Sequence, residues 1–129
     1  MLAAERALFA AASAAVLFAS AAGVAGFRLN LSPSVVGVVF RIDDAAEIVV
    51  GDYVSFCLPT PLASLPVMAT ATVPVCMQDQ RGVPLLKRVA VIDDDGSLFV
   101  LGEHPKSLDS RVFGWIERQA IRHRLVRVW

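Results

Sequence analysis

From Ala7 to Phe27 no residue carries a charge, and Glu5 and Arg6 bracket the stretch on one side and Arg28 on the other. About 20 apolar residues at roughly 1.5 Å each cover the roughly 30 Å hydrocarbon core of a bilayer. The pattern therefore predicts one membrane-spanning helix, with residues 1–27 as an N-terminal anchor and residues 28–129 as the body. Leu8, Phe9, Val16, Leu17, Phe18, Val24 and Phe27 carry most of its apolar area among many alanines. A cleaved signal peptide is the competing reading, because Ala19-Ser20-Ala21 offers small residues at a plausible cleavage site. Against that reading, the basic leader such a peptide needs is reduced to Arg6 and the amino terminus. With one arginine on either side, the positive-inside rule does not set the orientation.

Beyond the anchor the period shortens to that of strands. Phe27 to Leu31 alternates, Ser32-Pro33-Ser34 interrupts it, and Val35 to Ile42, β-branched and apolar, predicts a strand. Asp43-Asp44 marks a turn, and Ile48 to Leu58 predicts a strand pair broken at Gly51-Asp52. Pro59 to Pro84 holds five of the seven prolines and predicts a loop with one strand near Val73–Met77. Leu85 to Ile92 predicts a strand, Asp93-Asp94-Asp95-Gly96 a hairpin turn and Ser97 to Gly102 the returning strand. After the polar, turn-rich run Glu103 to Gly114, Val112–Ile116 and Leu125–Trp129 are expected to close the sheet, with a short helical turn or loop between them. Short strands with turn signals between them mean a mainly β fold, a small coiled antiparallel sheet or partial barrel preceded by one helix.

Composition changes this picture little. A chain of 129 residues has room for one domain besides the anchor. The apolar excess, 56% of residues, is concentrated in the anchor. A formal net charge of zero lacks the electrostatic footprint of a nucleic-acid binder, so no nucleic-acid partner is expected. Cys57 and Cys76 enclose the proline-rich stretch; outside the cytoplasm they could form one disulfide, and otherwise they are two partly buried thiols. With His104 and His123 far apart, they lack the spacing of a metal site, and no cofactor is implied.

The candidate chemistry lies in three places. Ten of the twelve basic residues are arginine, and only Lys87 and Lys106 are lysine. Arginine stays protonated, whereas a lysine can act as a base if burial lowers its pKa. Lys106 lies in a polar run and is expected to be solvated, but Lys87 lies inside an apolar strand, where it either faces water or is buried. Ser32-Pro33-Ser34 places two hydroxyls about a fixed backbone, which is a common turn or a nucleophile with a neighbouring donor. In the run from Gly102 to Gly114, Asp109 and Arg111 lie two apart and can pair.

Taken together and in this order, these features resemble the signal peptidase I superfamily, most closely its conjugative-transfer branch of TraF-type pilin-processing peptidases. Asn30-Leu31-Ser32-Pro33-Ser34 is similar to the nucleophile box, Leu86-Lys87-Arg88-Val89 to the base box and Ser107 to Gly114 to the final box. The resemblance covers residues 27–129 and departs from the family pattern at three places. Val36 and Val38 stand where a proline and a glycine are usual, with Gly37 one place early. Ile92-Asp93-Asp94-Asp95-Gly96 closes its hairpin where relatives often carry Pro-Gly-Asp, and the long insertion before the final box is missing.

The resemblance implies a membrane-bound serine endopeptidase of the bacterial inner membrane, with its catalytic domain on the extracytoplasmic face. It implies Ser34 as nucleophile and Lys87 as general base, with Ser32 and the Ser34 amide as oxyanion hole. Ser107 would hold Lys87, and Asp109 with Arg111 would brace that loop. The implied partners are a precursor or pilin substrate and membrane lipid; the oligomeric state stays open. Two rivals remain: a self-cleaving repressor of the LexA kind, which would need a DNA-binding domain in place of the anchor, and a catalytically silent envelope or pilus-assembly scaffold on the same fold.

Overall fold

The computed structural model describes residues 2–59, 66, 76 and 83–129. Helix α1 spans Ala3–Val24, starts earlier than the uncharged stretch, and has no buried residue. Its 22 residues make it long and apolar enough to cross a membrane or to serve as a signal sequence. At its end Gly26, with φ +89°, turns the chain away. Arg28 Nη1 donates to the Gly23 carbonyl at 3.1 Å, placing a cation at the negative end of the helix dipole.

Six strands follow among the described residues: β1 Phe27–Leu29, β2 Val39–Ile42, β3 Tyr53–Phe56, β4 Leu85–Ile92, β5 Leu98–Leu101 and β6 Ile121–Arg127. They form one sheet in the order β1-β2-β6-β3-β4-β5, every neighbour antiparallel. The sheet is open, with β1 and β5 at its edges. A single-turn helix, α2 (Ser110–Phe113), and a 3-10 turn at Arg118–Ala120 connect β5 to β6.

Two apolar clusters among the described residues fix this arrangement. The larger packs Val54, Phe56, Val89, Leu98, Val100, Phe113 and Ile116. The smaller packs Val35, Phe40, Tyr53 and Leu125. Each fully buried Val, Leu or Phe contributes about 1.5–3 kcal/mol, so the larger cluster dominates. Arg124 on β6 ties two turns to the sheet, donating through Nε to Asp52 at 2.7 Å and through Nη1 to Asp43 at 3.0 Å.

The sheet departs from the sequence-based expectation at several points, each for a visible reason. The strand expected at Val35–Ile42 begins only at Val39, because Gly37 adopts φ +126° and the preceding residues bend. Of the strand pair expected at Ile48–Leu58 only Tyr53–Phe56 is a strand. Asp52 closes a tight turn before it, its Oδ2 accepting from the Val49 amide at 2.9 Å. The strand expected at Val112–Ile116 is instead the end of α2 and a single bridge between Ile116 and Leu98, since Asp109 caps a helical turn there. Strand β6 starts at Ile121, four residues before the expected Leu125. The strand expected near Val73–Met77 lies, Cys76 apart, outside the described residues.

Candidate active site

Strand β4 sets the first functional side chain. Its register pairs Lys87 with Val54 on β3, so Lys87 emerges on the face that Val54 and Val89 turn to the larger core. The side chain is buried, 3% exposed. Burial pushes its amine down to about 8; the Asp109 charge opposes this and the Arg111 charge adds to it. At that value roughly one lysine in ten is neutral at pH 7, against fewer than about one in a thousand for a free lysine. Lys106 is exposed, as expected of its polar surroundings.

The second side chain sits on an irregular loop between β1 and β2. Asn30 shapes it from within: its Nδ2 donates to the carbonyls of Ser32, Val35 and Gly37 at 3.0–3.2 Å, and its Oδ1 accepts from the Ser32 amide at 3.1 Å. This brings Ser34 Oγ to 2.8 Å from Lys87 Nζ, which donates to it. Ser32 Oγ also lies 2.8 Å from Ser34 Oγ. The three residues Ser32, Ser34 and Lys87 are thus gathered at one point.

The oxyanion donors expected of Ser32 and the Ser34 amide are turned on each other. The Ser34 amide donates to Ser32 Oγ at 3.3 Å, and Ser32 Oγ in turn faces Ser34 Oγ. Rotation of the Ser32 side chain would release both.

The run Gly102–Arg111 packs behind this point. Asp109 is completely buried and accepts from the Gly102 amide at 2.9 Å and the Arg111 amide at 3.0 Å. Arg111 Nη2 donates to it at 2.6 Å, from a side chain that is 45% exposed. Burial alone would raise the Asp109 pKa, but the hydrogen bonds from Arg111 and from the two amides outweigh it and hold the carboxyl below its ordinary value. Ser107 is buried, but the hydrogen bond expected between it and Lys87 is not made: Ser107 Oγ has no hydrogen-bond partner among the described residues. It packs instead on Gly102, where a methyl group would overlap the Ser107 side chain and crowd the Ser34 carbonyl. The Ser107 side chain therefore acts through close packing, in space that only a glycine at position 102 leaves open.

A cleft of about 670 Å³ opens beside Ser34 and Lys87. Its walls are mostly apolar and include Leu29, Leu31, Phe40, Pro84, Leu86, Leu108 and Leu125, with Ser55 and His123 also lining it. His123 Nδ1 lies 2.8 Å from an Asp44 carboxylate oxygen. Cys57 and Cys76 are joined by a disulfide just beyond β3, and the Cys76 amide donates to the carbonyl of Val83, another cleft residue.

Asn30 and Gly102 are not singled out as site residues in the sequence. Asn30 stands within the nucleophile box and Gly102 opens the run that ends at Gly114, so their positions are signals. Comparison of the chain with family models, with curated proteins and with solved structures gives no match.

Proposed function

We propose that the chain is a membrane-anchored serine endopeptidase with a Ser34–Lys87 dyad. The observation that carries the reading is the 2.8 Å contact between Ser34 Oγ and a buried lysine whose pKa is lowered to about 8. A serine hydroxyl is a weak nucleophile until a base takes its proton, and a neutral amine at hydrogen-bond distance supplies that base. When Lys87 loses its proton the hydrogen bond reverses and Ser34 donates to Nζ. Ser34 Oγ then attacks the scissile carbonyl, its proton passing to Lys87. The developing oxyanion is met by the Ser34 amide and the Ser32 hydroxyl once Ser32 has rotated. Lys87 returns the proton to the leaving amine, and water activated by the same amine hydrolyses the acyl-enzyme.

The apolar cleft suits an extended, apolar peptide segment. The disulfide suits an oxidising compartment, and hence a catalytic domain on the extracytoplasmic face behind α1. On this reading the fold is of the signal peptidase type, the location is the bacterial inner membrane, and the substrate is a secreted precursor or pilin, processed in conjugative transfer. A catalytically silent assembly scaffold is the second reading, and the mutual engagement of the Ser32 and Ser34 donors favours it.

The test uses the full chain in lipid vesicles with a library of peptides spanning leader–mature junctions of secreted proteins and pilins, read by mass spectrometry. Cleavages present with the wild type and absent with Ser34→Ala support the peptidase. Cleavages that persist in Ser34→Ala, or no cleavage at all, leave the scaffold.

A further inference from the structure

The segment just after Ser34 is gripped by side chains distant from it in the chain. Val36 is exposed, yet both of its backbone groups are held by charged residues: its amide donates to Glu103 Oε2 and its carbonyl accepts from Arg127 Nη1 at 3.1 Å. These two residues lie 67 and 91 positions away along the chain. The Tyr53 hydroxyl joins them, donating to Glu103 Oε1 at 2.8 Å and accepting from Arg127 Nη1 at 3.2 Å. Glu103 takes a second hold through its backbone, its amide donating to the Ser34 carbonyl at 2.6 Å. Gly37 completes the fit, since a Cβ there would lie 2.6 Å from Arg127 Cδ.

The geometry assigns Glu103 and Arg127 as positioning residues: joined through Tyr53, they clamp Val36 by both backbone groups and so hold Ser34 on Lys87. A surface carboxylate or guanidinium without this role would bond to side chains or to solvent. Here a carboxylate and a guanidinium both engage one residue's main chain. The loop pairs with no strand among the described residues except at its ends, where the Asn30 amide meets the Val38 carbonyl and the Val38 amide the Trp129 carbonyl. Tyr53 is itself fixed, 8% exposed and stacked edge-on against Phe40 with ring centres 5.2 Å apart. The clamp therefore transmits the rigidity of β3 and β6 to a loop that makes no ladder of its own.

The kinetic arm of the test rests on the peptidase reading and uses the best-cleaved peptide of the library. Because a 1 Å misplacement can cost about 10²-fold, Glu103→Ala is expected to lower kcat by about 100-fold, with KM changed by less than about twofold. Glu103→Gln keeps the reach and one acceptor and can donate to the Tyr53 oxygen, so it should recover most of that loss. Glu103→Asp keeps the charge but is one methylene too short, and should not. Tyr53→Phe removes only the link and serves if Glu103→Ala fails to fold; the loss of its hydrogen bonds to Glu103 and Arg127 should cost at least about tenfold in kcat.

The second arm is independent of activity. Deuterium exchange of the Val36 amide should be slow in the wild type and at least about tenfold faster in Glu103→Ala, as expected for a lost hydrogen bond of about 1.4 kcal/mol. Wild-type kcat per folded molecule in Glu103→Ala, or unchanged Val36 exchange, overturns the clamp. Should the wild type cleave nothing, the peptidase reading fails while Val36 exchange still decides the clamp.

Discussion

Ser34 and Lys87 stand 2.8 Å apart, yet the chain brings them together by opposite means. Lys87 is placed by regular structure: β4 is paired on both sides, and the register that sets Val54 opposite Lys87 sets the lysine's depth. Ser34 is placed by irregular structure, a loop that belongs to no strand among the described residues, fixed by the Asn30 amide within and by Glu103 and Arg127 from outside. A ladder positions every residue in it at once, so a single substitution moves little. A loop built from side-chain-to-backbone bonds depends on each of them. The base should therefore be sensitive mainly to its own chemistry, and the nucleophile to the residues around it.

The largest effect should come from the base itself. Lys87→Arg keeps the positive charge and removes the neutral amine, so peptide cleavage should fall by about 10²–10⁴-fold, the usual worth of a general base. The protein should still fold and reach the membrane. Lys106→Arg, on an exposed side chain, is the matched control and should cleave at the wild-type rate.

Next is the loop behind the dyad. Asp109→Ala leaves the part-buried amides of Gly102 and Arg111 without their acceptor and should cost about 1–3 kcal/mol for each by chemical denaturation. Arg111→Ala should cost less, because its side chain is 45% exposed. Equal losses in the two variants would make the pair, rather than the cap, the structural element.

The lysine's burial makes a prediction of the opposite sign. Its folded pKa, about 8, lies below its ordinary value of 10.5, so the unfolded chain binds more protons between those two pH values. Wild-type stability should therefore rise with pH across that window, and the full penalty of burying the charge applies below pH 8. Lys87→Met should abolish that rise and stabilise the protein at pH 7 by on the order of 3 kcal/mol, while eliminating cleavage. In the wild type, cleavage should rise with pH to a plateau above an apparent pKa of about 8. A stability profile that stays flat between pH 8 and 10.5 would place the lysine in water.

The smallest expected effect tests the loop from within. Asn30→Asp keeps the acceptor for the Ser32 amide but cannot donate to the carbonyls of Ser32, Val35 and Gly37. It should destabilise by about 1–3 kcal/mol and loosen Ser34, while leaving the pH profile set by Lys87 where it was. A shifted profile would show that loop and base are less separable than their construction indicates.

How much of this the chain announces depends on how local each feature is. Helix α1, strand β4 and the Asp93–Gly96 turn are written in neighbouring residues: an uncharged run, a short and largely apolar run, and an acidic turn closed by glycine. The residues singled out for chemistry, Ser32, Ser34 and Lys87, are visible as types and spacings. Whether Lys87 faces water or core is not, because strand periodicity assigns alternate sides without saying which is covered. Only the packing of Phe56, Phe113 and Leu98 across the sheet decides it.

The misplaced strands have the same origin. Val35–Val38 and Ile48–Val50 have the composition of strands but not their neighbours, and Gly37 together with the Asp52 turn diverts them. Val112 loses its strand to the Asp109 cap. Glu103, Tyr53 and Arg127 read as ordinary surface or core residues; Glu103 and Arg127 hold Val36 across 67 and 91 positions, and Tyr53 links to Glu103 across 50. Local sequence determined the elements and the reactive groups, since these follow from propensity and side-chain chemistry. Tertiary structure alone decided which hydroxyl meets which amine, because that depends on sheet order and on bonds between residues distant in the chain.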